Sequence, residues 1–227
     1  DAGSTDYTRP GVEALDLALT RVEVEHVYAI YEGDHSDPFW AARLAESGEL
    51  QRVRARHAAH YLSLAEQEGS RLLVSPPADA FRALEVERDN LRAALRWALE
   101  QQAIEGALRL VSALWRFWHL RCDYQEGLHW LKAALQLPLP QGSDAAAQER
   151  LVTFRIEALT GAGAVCCALQ QDLELAIDCL EEAAMLARQD GAADALPRVL
   201  AWLGRAAESR GDTERALRAY GEGLALA

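Results

Sequence analysis

Six polar side chains of this sequence have the type and the spacing to bind an anion. Four of them fall within about 80° of one another on a helical wheel of about 3.6 residues per turn, and the other two share a face of a later predicted helix. In chain order they are Arg109, Ser112, Arg116 and His119, followed by Arg198 and Arg205. Guanidinium groups hold carboxylates and phosphates through paired hydrogen bonds. We therefore predict a site for an acidic peptide or a phosphorylated metabolite, the alternative being that these arginines only pair with neighbouring Glu or Asp side chains.

The sequence contains no recognised catalytic motif. GAGAV at 161–165 has no lysine after it and lies in a predicted helix, where small residues favour close helix packing over a phosphate loop. Nucleophile elbows, zinc-protease motifs and CxxC pairs are absent from the sequence. We expect no enzyme, no cofactor and no metal, and we keep an enzyme as the third hypothesis because the chain holds six histidines and many carboxylates.

Three other groups of residues allow a functional or a structural interpretation, and we favour the structural one for each. His57 and His60 share a helix face and could hold a metal, but together with Tyr61 they fit a packing stripe. The acidic segment 32–37 could bind a cation weakly, but a solvated loop is the preferred interpretation. Four tryptophans at helical spacing fit a protein core better than a ligand-stacking site. They are Trp97, Trp115, Trp118 and Trp130.

The composition is that of a globular, acidic protein. Hydrophobic residues make up 50% of the 227 positions, which provides for a buried core, and the net charge of −12 disfavours nucleic acid as a partner. The number of cysteines, 4, is too small for a disulfide framework. No apolar run approaches the ~20 residues of a membrane span, and the chain starts with neither a signal peptide nor a methionine. We expect a cytoplasmic fragment of a longer protein.

The elements that must position these side chains are predicted to be helices, because apolar residues recur at three- and four-residue spacing over most of the chain. The first predicted element is a lead-in of uncertain type at 1–38, with a helix favoured over a strand at 11–31 and a turn at 33–38. Helices follow at 39–45 and 50–68, and a break at 75–77 precedes one helix from an Asp79 cap to Gln102. Three helix pairs make up residues 105–227. Residues 39–104 are expected to cap the array of pairs.

A repeat organises residues 105–227. Its three short turns each end in an Asp suited to cap the next helix; they are Cys122-Asp123, Gln171-Asp172 and Gly211-Asp212. Four residues after each Asp comes a small residue, four further on a large one, and three beyond that a small one. A small residue lets two helices approach closely, and the large residue fills the adjoining space. The large residues are Leu131, Leu180 and Tyr220, and the partner positions, eight residues before each Asp, are Trp115, Ala164 and Gly204.

This pattern resembles the tetratricopeptide repeat (TPR). LGRAAESRGDTERALRAYGEGLALA at 203–227 is a good match, 168–187 is a fair one, and 114–135 is weaker because Trp115 stands where a small residue belongs. The Asp positions are 49 and 40 residues apart, which exceeds the usual period of about 34. The resemblance implies that the first helix of each pair lines a concave groove. The six candidate residues would then form two cationic walls, with the small residues of the middle helix leaving room between them.

A second resemblance covers roughly residues 39–140. RHAAHYLSLAEQ at 56–67, ERDNLRAALRWALEQ at 87–101 and the segment 107–135 look like the helical arm of LuxR-type and related STAND regulators of bacteria. In that family the arm is a sensor that follows a nucleotide-binding domain and a winged helix, and it controls the NTPase switch. The resemblance therefore implies an inducer or partner, and NTPase and DNA-binding domains in the same full-length chain.

We predict an all-α fold, an irregular right-handed superhelix of TPR-like pairs preceded by extra N-terminal helices. The leading function is a protein- or ligand-interaction module, the sensor arm of a bacterial transcriptional regulator, and the alternative is a stand-alone TPR scaffold. Expected partners are a protein, an acidic peptide or a small anionic inducer, without direct contact to nucleic acid or a membrane. Self-association is a further expectation, because a truncated array exposes an apolar end face.

Overall fold

The computed structural model describes residues 2–3, 30–31, 49–72, 77–138, 145–189 and 192–226. The chain divides into two compact units, Asp1–Ala55 and Arg56–Ala227. In the first unit, the two-residue strands β1 (Ala2–Gly3) and β2 (Ile30–Tyr31) pair in parallel. The helix predicted for 11–31 is therefore wrong at its last two residues, and its remainder lies outside the described residues, as do the turn at 33–38 and the helix at 39–45.

All the other regular elements in the described part of the chain are helices, so the all-α prediction is confirmed. The α-helices are α1 (Leu50–Arg71), α2 (Ala78–Val86), α3 (Arg88–Glu100), α4 (Ile104–Arg121), α5 (Tyr124–Leu135), α6 (Ala145–Leu169), α7 (Leu173–Gln189), α8 (Leu196–Arg210) and α9 (Thr213–Leu226). One 3-10 turn, Ala193–Ala195, precedes α8. The helices that follow one another from α4 to α9 form three pairs, α4–α5, α6–α7 and α8–α9, which pack side by side.

Two details of the segment before the pairs differ from the prediction. The single helix expected up to Gln102 is broken at Glu87, whose φ of −95° and ψ of 11° lie outside the helical region. The Asn90 side chain donates a 2.7 Å hydrogen bond to the Glu87 carboxylate, which ties the break to the first turn of α3. Asp79 is not the helix cap, because Pro77 occupies that position and the Asp79 carboxylate accepts a 2.6 Å hydrogen bond from Arg71.

The three predicted turns share one hydrogen-bonding pattern. After α4, the amide of Asp123 donates to Trp118 O (3.0 Å) and the amide of Cys122 to His119 O (3.2 Å), which is a Schellman motif. The same two bonds close α6 and α8. Each motif needs a residue with positive φ, and that residue is Cys122 (64°), Gln170 (52°) or Gly211 (89°). The motif also ends α3 at Gln102-Ala103, a fourth copy that the sequence pattern did not reveal.

The Asp residues of the turns cap their helices unequally. Asp212 Oδ1 accepts a 3.1 Å hydrogen bond from the amide of Arg215, as predicted. The cap predicted for Asp123 is wrong, because this carboxylate makes no cap bond and instead accepts a hydrogen bond from the side chain of Arg121. Arginine side chains within reach of Asp123 thus satisfy it in place of the orphan backbone amides.

The alternation of small and large residues does produce close helix contacts. A methyl group built on Gly204 would lie 2.4 Å from the ring of Tyr220, and one on Gly163 would lie 2.5 Å from Leu180. In the second pair a close approach therefore occurs at Gly163, next to the predicted Ala164, which is itself buried. Trp115, which departs from the pattern, packs instead on Gly161 of the next pair, where an added methyl group would lie 2.7 Å away.

The core follows the pairs, with α6 at its centre. By length and composition alone α6 could cross a membrane, but 72% of its most apolar stretch is buried inside the protein, as expected for a central core helix. Cys166 and Cys167 are buried free thiols on this helix, and burial raises the pKa of each to about 11. Trp115 and Trp118 are buried, and Trp97 and Trp130 pack against the core, so the structural interpretation of the four tryptophans is confirmed.

Candidate ligand-binding face

The first helices of the three pairs, α4, α6 and α8, contribute side chains to one continuous face, called here the inner face. Ser112 on α4 donates a 2.8 Å hydrogen bond to the carbonyl of Phe154 on α6, so that the two helices are tied together at this face. Ion pairs and aromatic contacts extend the face to α8. All six residues predicted for anion binding belong to α4 or α8.

One carboxylate links the three helices. Glu157 on α6 accepts a hydrogen bond from Arg198 on α8 through Oε1, and its Oε2 lies 3.5 Å from Nη2 of Arg116 on α4. Arg116 also stacks on the ring of Trp115, with 4.2 Å between the guanidinium carbon and the ring centroid. Nε of Arg198 is buried and has no hydrogen-bond partner. Arg116, Glu157 and Arg198 are called the Glu157 cluster below.

The Glu157 cluster has a net positive charge, because it contains two guanidinium groups and only one carboxylate. Burial, reinforced by the charge of Arg198, lowers the pKa of Arg116 to about 10. Burial also lowers the pKa of Arg198. A lowered pKa means that the surroundings stabilise the charged guanidinium less than water does. Two arginines that share one carboxylate therefore form an electrostatically under-compensated group.

Arg109 is better supplied with acceptors. Its Nε and Nη2 donate hydrogen bonds of 2.7 and 2.8 Å to the two oxygens of Glu66 on α1. Its guanidinium carbon also lies 5.9 Å from the ring centroid of Phe154. Arg109 thus fits the alternative interpretation of the sequence, in which an arginine only pairs with a neighbouring acid.

A cavity of about 280 Å³ lies between the end of α1 and the inner face. Its lining combines the charged residues above with small and apolar surface from Gly69, Ala113 and Phe154. Its charged residues are Glu66, Arg109, Arg116, Glu157 and Arg198. The structure therefore brings four of the six predicted residues to one cavity, since Ser112 also lines it.

The other two predicted residues, His119 and Arg205, belong to a separate aromatic group. The ring centroid of His119 lies 5.6 Å from that of Trp202 on α8, and Trp115 lies 6.4 Å from the same ring. Arg205 covers Trp202 from outside at 5.5 Å. The open space predicted between α4 and α8 is thus wrong at this level, because these rings meet across the small residues of α6.

Burial shapes the electrostatics of the aromatic group too. Burial, and then the charge of Arg205, lower the pKa of His119, which favours the neutral imidazole. His119 Nδ1 and Trp115 Nε1 are both buried without a hydrogen-bond partner. The group therefore consists of packed rings, with Arg205 as its charged member.

Sequence reasoning missed three residues of the inner face. Trp202 had a signal, because it lies four residues after Arg198 and three before Arg205, on the same helical stripe. Glu157 had a weaker one, because it lies four residues before Gly161, one of the small residues of the predicted middle helix. Glu66 had none, because it lies on α1, outside the repeat.

The candidate metal ligands take structural roles. His57 Nε2 donates a 3.2 Å hydrogen bond to Oδ1 of Asn90, and its ring lies 4.6 Å from that of Tyr61, so His57 belongs to the packing stripe, whereas His60 is exposed. Within the described ranges, no group of three or more His, Cys, Asp and Glu side chains is arranged to hold a metal ion. The acidic segment 32–37 lies outside the described residues.

Comparison with known proteins gives a partial match to regulators. Three proteins, two from strains of Mycobacterium tuberculosis and one from Mycobacterium bovis, are each 37% identical to the chain over 99 residues. Each is named provisionally as an HTH-type transcriptional regulator. The matched region covers 41% of this chain and 10% of each regulator, so the chain matches about a tenth of the length of these relatives. No protein-family model and no solved structure matches the chain.

Proposed function

We propose that the chain is the sensor arm of a bacterial transcriptional regulator of the STAND type, built from TPR-like helix pairs. The partial match to regulators named as HTH-type supports a regulatory role. The three helix pairs and their shared turn motif support the repeat architecture. In this role the chain binds a partner or an inducer, does not catalyse a reaction, and acts in the cytoplasm on NTPase and DNA-binding domains of the same full-length protein.

The observation that carries the proposal is the Glu157 cluster on the inner face. Two half-buried arginines from α4 and α8 share one carboxylate from α6, and a cavity opens beside them. An anionic partner that enters there contacts three successive inner helices at once, so that its binding changes how the pairs are held together. An acidic peptide or a small anionic inducer has the required charge, whereas DNA binding is left to another domain because the chain is acidic.

The experiment is a thermal-shift screen against sugars, phosphorylated metabolites, nucleotides and acidic peptides. A ligand that binds only the folded state raises the melting temperature. We expect a rise with an anionic class that is lost in Arg116→Glu and kept in Arg188→Glu. Arg188 is a matched control because it is an exposed arginine of α7 that pairs with Glu222, away from the inner face. Equal responses of both variants, or a response to neutral sugars alone, would overturn the proposal of a cationic inner face.

A stand-alone assembly scaffold is the second candidate, and a different surface favours it. Leu217 and Leu224 on α9 are 68% and 81% exposed and lie seven residues apart, on one face of the helix. Large apolar side chains in such a stripe are typical of protein-protein contacts. A scaffold would bind through α9 and would be insensitive to Arg116→Glu.

A further inference from the structure

The cavity beside the Glu157 cluster is lined by more positive than negative side chains and by a partly apolar surface. These two features together restrict the chemical class of ligand that fits. Its lining holds three arginines and two carboxylates, Glu66 and Glu157, which leaves one positive charge without a counter-charge. Glu66 is already engaged by Arg109 through two hydrogen bonds. The surplus therefore lies with Arg116 and Arg198.

Those two arginines also have more hydrogen-bond donors than there are acceptors within reach of them. A guanidinium group carries five N–H donors. Among the residues that the structure describes, Arg116 reaches an acceptor only at 3.5 Å, which is long for a charge-assisted hydrogen bond, and Nε of Arg198 reaches none. One further carboxylate in the cavity would supply the missing acceptor oxygens and the missing negative charge.

The remaining lining is partly apolar and the volume is small. It consists of Gly69, Ala113 and Phe154, with the hydroxyl side chains of Ser70, Ser112 and Thr153. Its volume, about 280 Å³, lies at the lower end of the range of small-molecule pockets. A folded domain does not fit, and a molecule with a compact apolar body does.

From these observations, and resting on the proposed sensor function, we infer that the inner face binds a small monocarboxylate with an apolar body. Its carboxylate lies beside Glu157 and accepts hydrogen bonds from the donors that Arg116 and Arg198 leave unused, and its body lies against Phe154. A dianionic phosphate fits less well, because it would leave an unpaired negative charge in a partly buried site. Because Arg116 comes from α4 and Arg198 from α8, the bound carboxylate adds a connection between the first and the third helix pair.

The test is calorimetric titration of the full chain with benzoate, methyl benzoate and phenyl phosphate. We expect benzoate to bind at least about tenfold more tightly than its neutral ester and than the dianion. Arg116→Leu should weaken benzoate binding by about tenfold or more. The control Arg188→Leu, which removes an exposed arginine far from the cavity, should leave it unchanged.

A second variant works in the opposite direction. Glu157→Gln removes one negative charge beside Arg116 and Arg198, so benzoate binding should become several-fold tighter. Arg116→Leu keeps the Glu157–Arg198 pair, so it serves as the test should Glu157→Gln fail to fold, which circular dichroism reports. Equal binding of benzoate and its methyl ester, or no binding of benzoate, would overturn the inference.

These outcomes separate the inference from the proposed function. If benzoate does not bind but an acidic peptide does, and Arg116→Glu abolishes the peptide's binding, then the ligand class is wrong and the sensor proposal stands. If neither probe binds and Arg116→Glu has no effect on any partner, both are wrong.

Discussion

Glu157 forms ion pairs with two arginines that come from different helices, so a single side chain connects three helices of the inner face. Its side chain is 22% exposed and that of Arg116 only 13%, so their ion pair is screened less than a surface pair. Arg116 and Arg198 could be placed on helix faces from their spacing alone. Glu157 could not be identified as their partner, because the pairing depends on how α4, α6 and α8 stack, and no local pattern encodes that.

The cluster predicts an unequal response to removing a charge. Glu157→Gln leaves two partly buried arginines without a counter-charge and should lower the free energy of unfolding by about 1–3 kcal/mol. Glu222→Gln, in the exposed pair with Arg188, should cost less than about 0.5 kcal/mol. Urea unfolding of the two variants measures both values. Equal losses would show that the Glu157 cluster behaves as an ordinary surface pair.

Each helix pair is formed by two local features, the turn that joins its helices and the small residue that lets them pack closely. The turns at Cys122, Gln170 and Gly211 could be located from sequence because a Schellman motif is made within six residues. The contact of Trp115 with Gly161 could not, because Gly161 belongs to the next pair, and the break at Glu87 has no signal in the sequence pattern. The turns are therefore predictable along this chain, whereas contacts between pairs are not.

The turns predict opposite effects for two substitutions at the same position of the motif. Cys122 has a φ of 64° that strains a residue with a β-carbon, so Cys122→Gly should stabilise the protein by roughly 1 kcal/mol. Gly211 has a φ of 89° and open space around it, so Gly211→Ala should destabilise by a similar amount through the backbone alone. Thermal denaturation of both variants tests this, and a lower melting temperature for Cys122→Gly would contradict it.

Close helix packing predicts a contrast between two glycines of the α8–α9 pair. Gly204→Ala places a methyl group 2.4 Å from the Tyr220 ring and should cost about 1–3 kcal/mol. Gly221→Ala meets nothing within 4 Å and should stabilise α9 by about 0.5–1 kcal/mol. Chemical denaturation distinguishes the two. Similar changes in the free energy of unfolding for both variants would contradict the prediction, because they would mean that α8 and α9 can move apart at Gly204 without losing stability.

At the scale of the whole molecule, Leu217 and Leu224 of α9, called here the α9 stripe, are two large apolar side chains that are exposed on one helix face. The positions of α7 that correspond to Leu217 and Leu224 are Ile177 and Ala184, and both are buried. In α7 the next pair covers this stripe, whereas Leu217 and Leu224 face solvent. The all-α architecture and the helix pairs could be predicted, because the apolar periodicity and the turns repeat along the sequence. The exposed apolar surface could not be predicted, because it depends on how the helix pairs stack.

The stripe predicts self-association of the chain. Analytical ultracentrifugation should show a mass that rises with concentration, because association removes the exposed leucines from water. Leu217→Glu combined with Leu224→Glu should keep the chain monomeric without lowering its melting temperature, since both side chains are exposed. Met185→Glu, at an exposed site on α7, is the control. A monomer at every concentration for the unmodified chain would contradict this prediction.

The claim that the inner face binds an anion at the Glu157 cluster is tested most directly by a crystal structure of the full chain with 4-iodobenzoate. The iodine gives an anomalous signal that locates the ligand without assumptions about its pose. We expect the iodine in the cavity beside Phe154 and the carboxylate on Arg116, with Glu157 still beside both arginines. An empty cavity, or iodine only at other surfaces, would contradict the account.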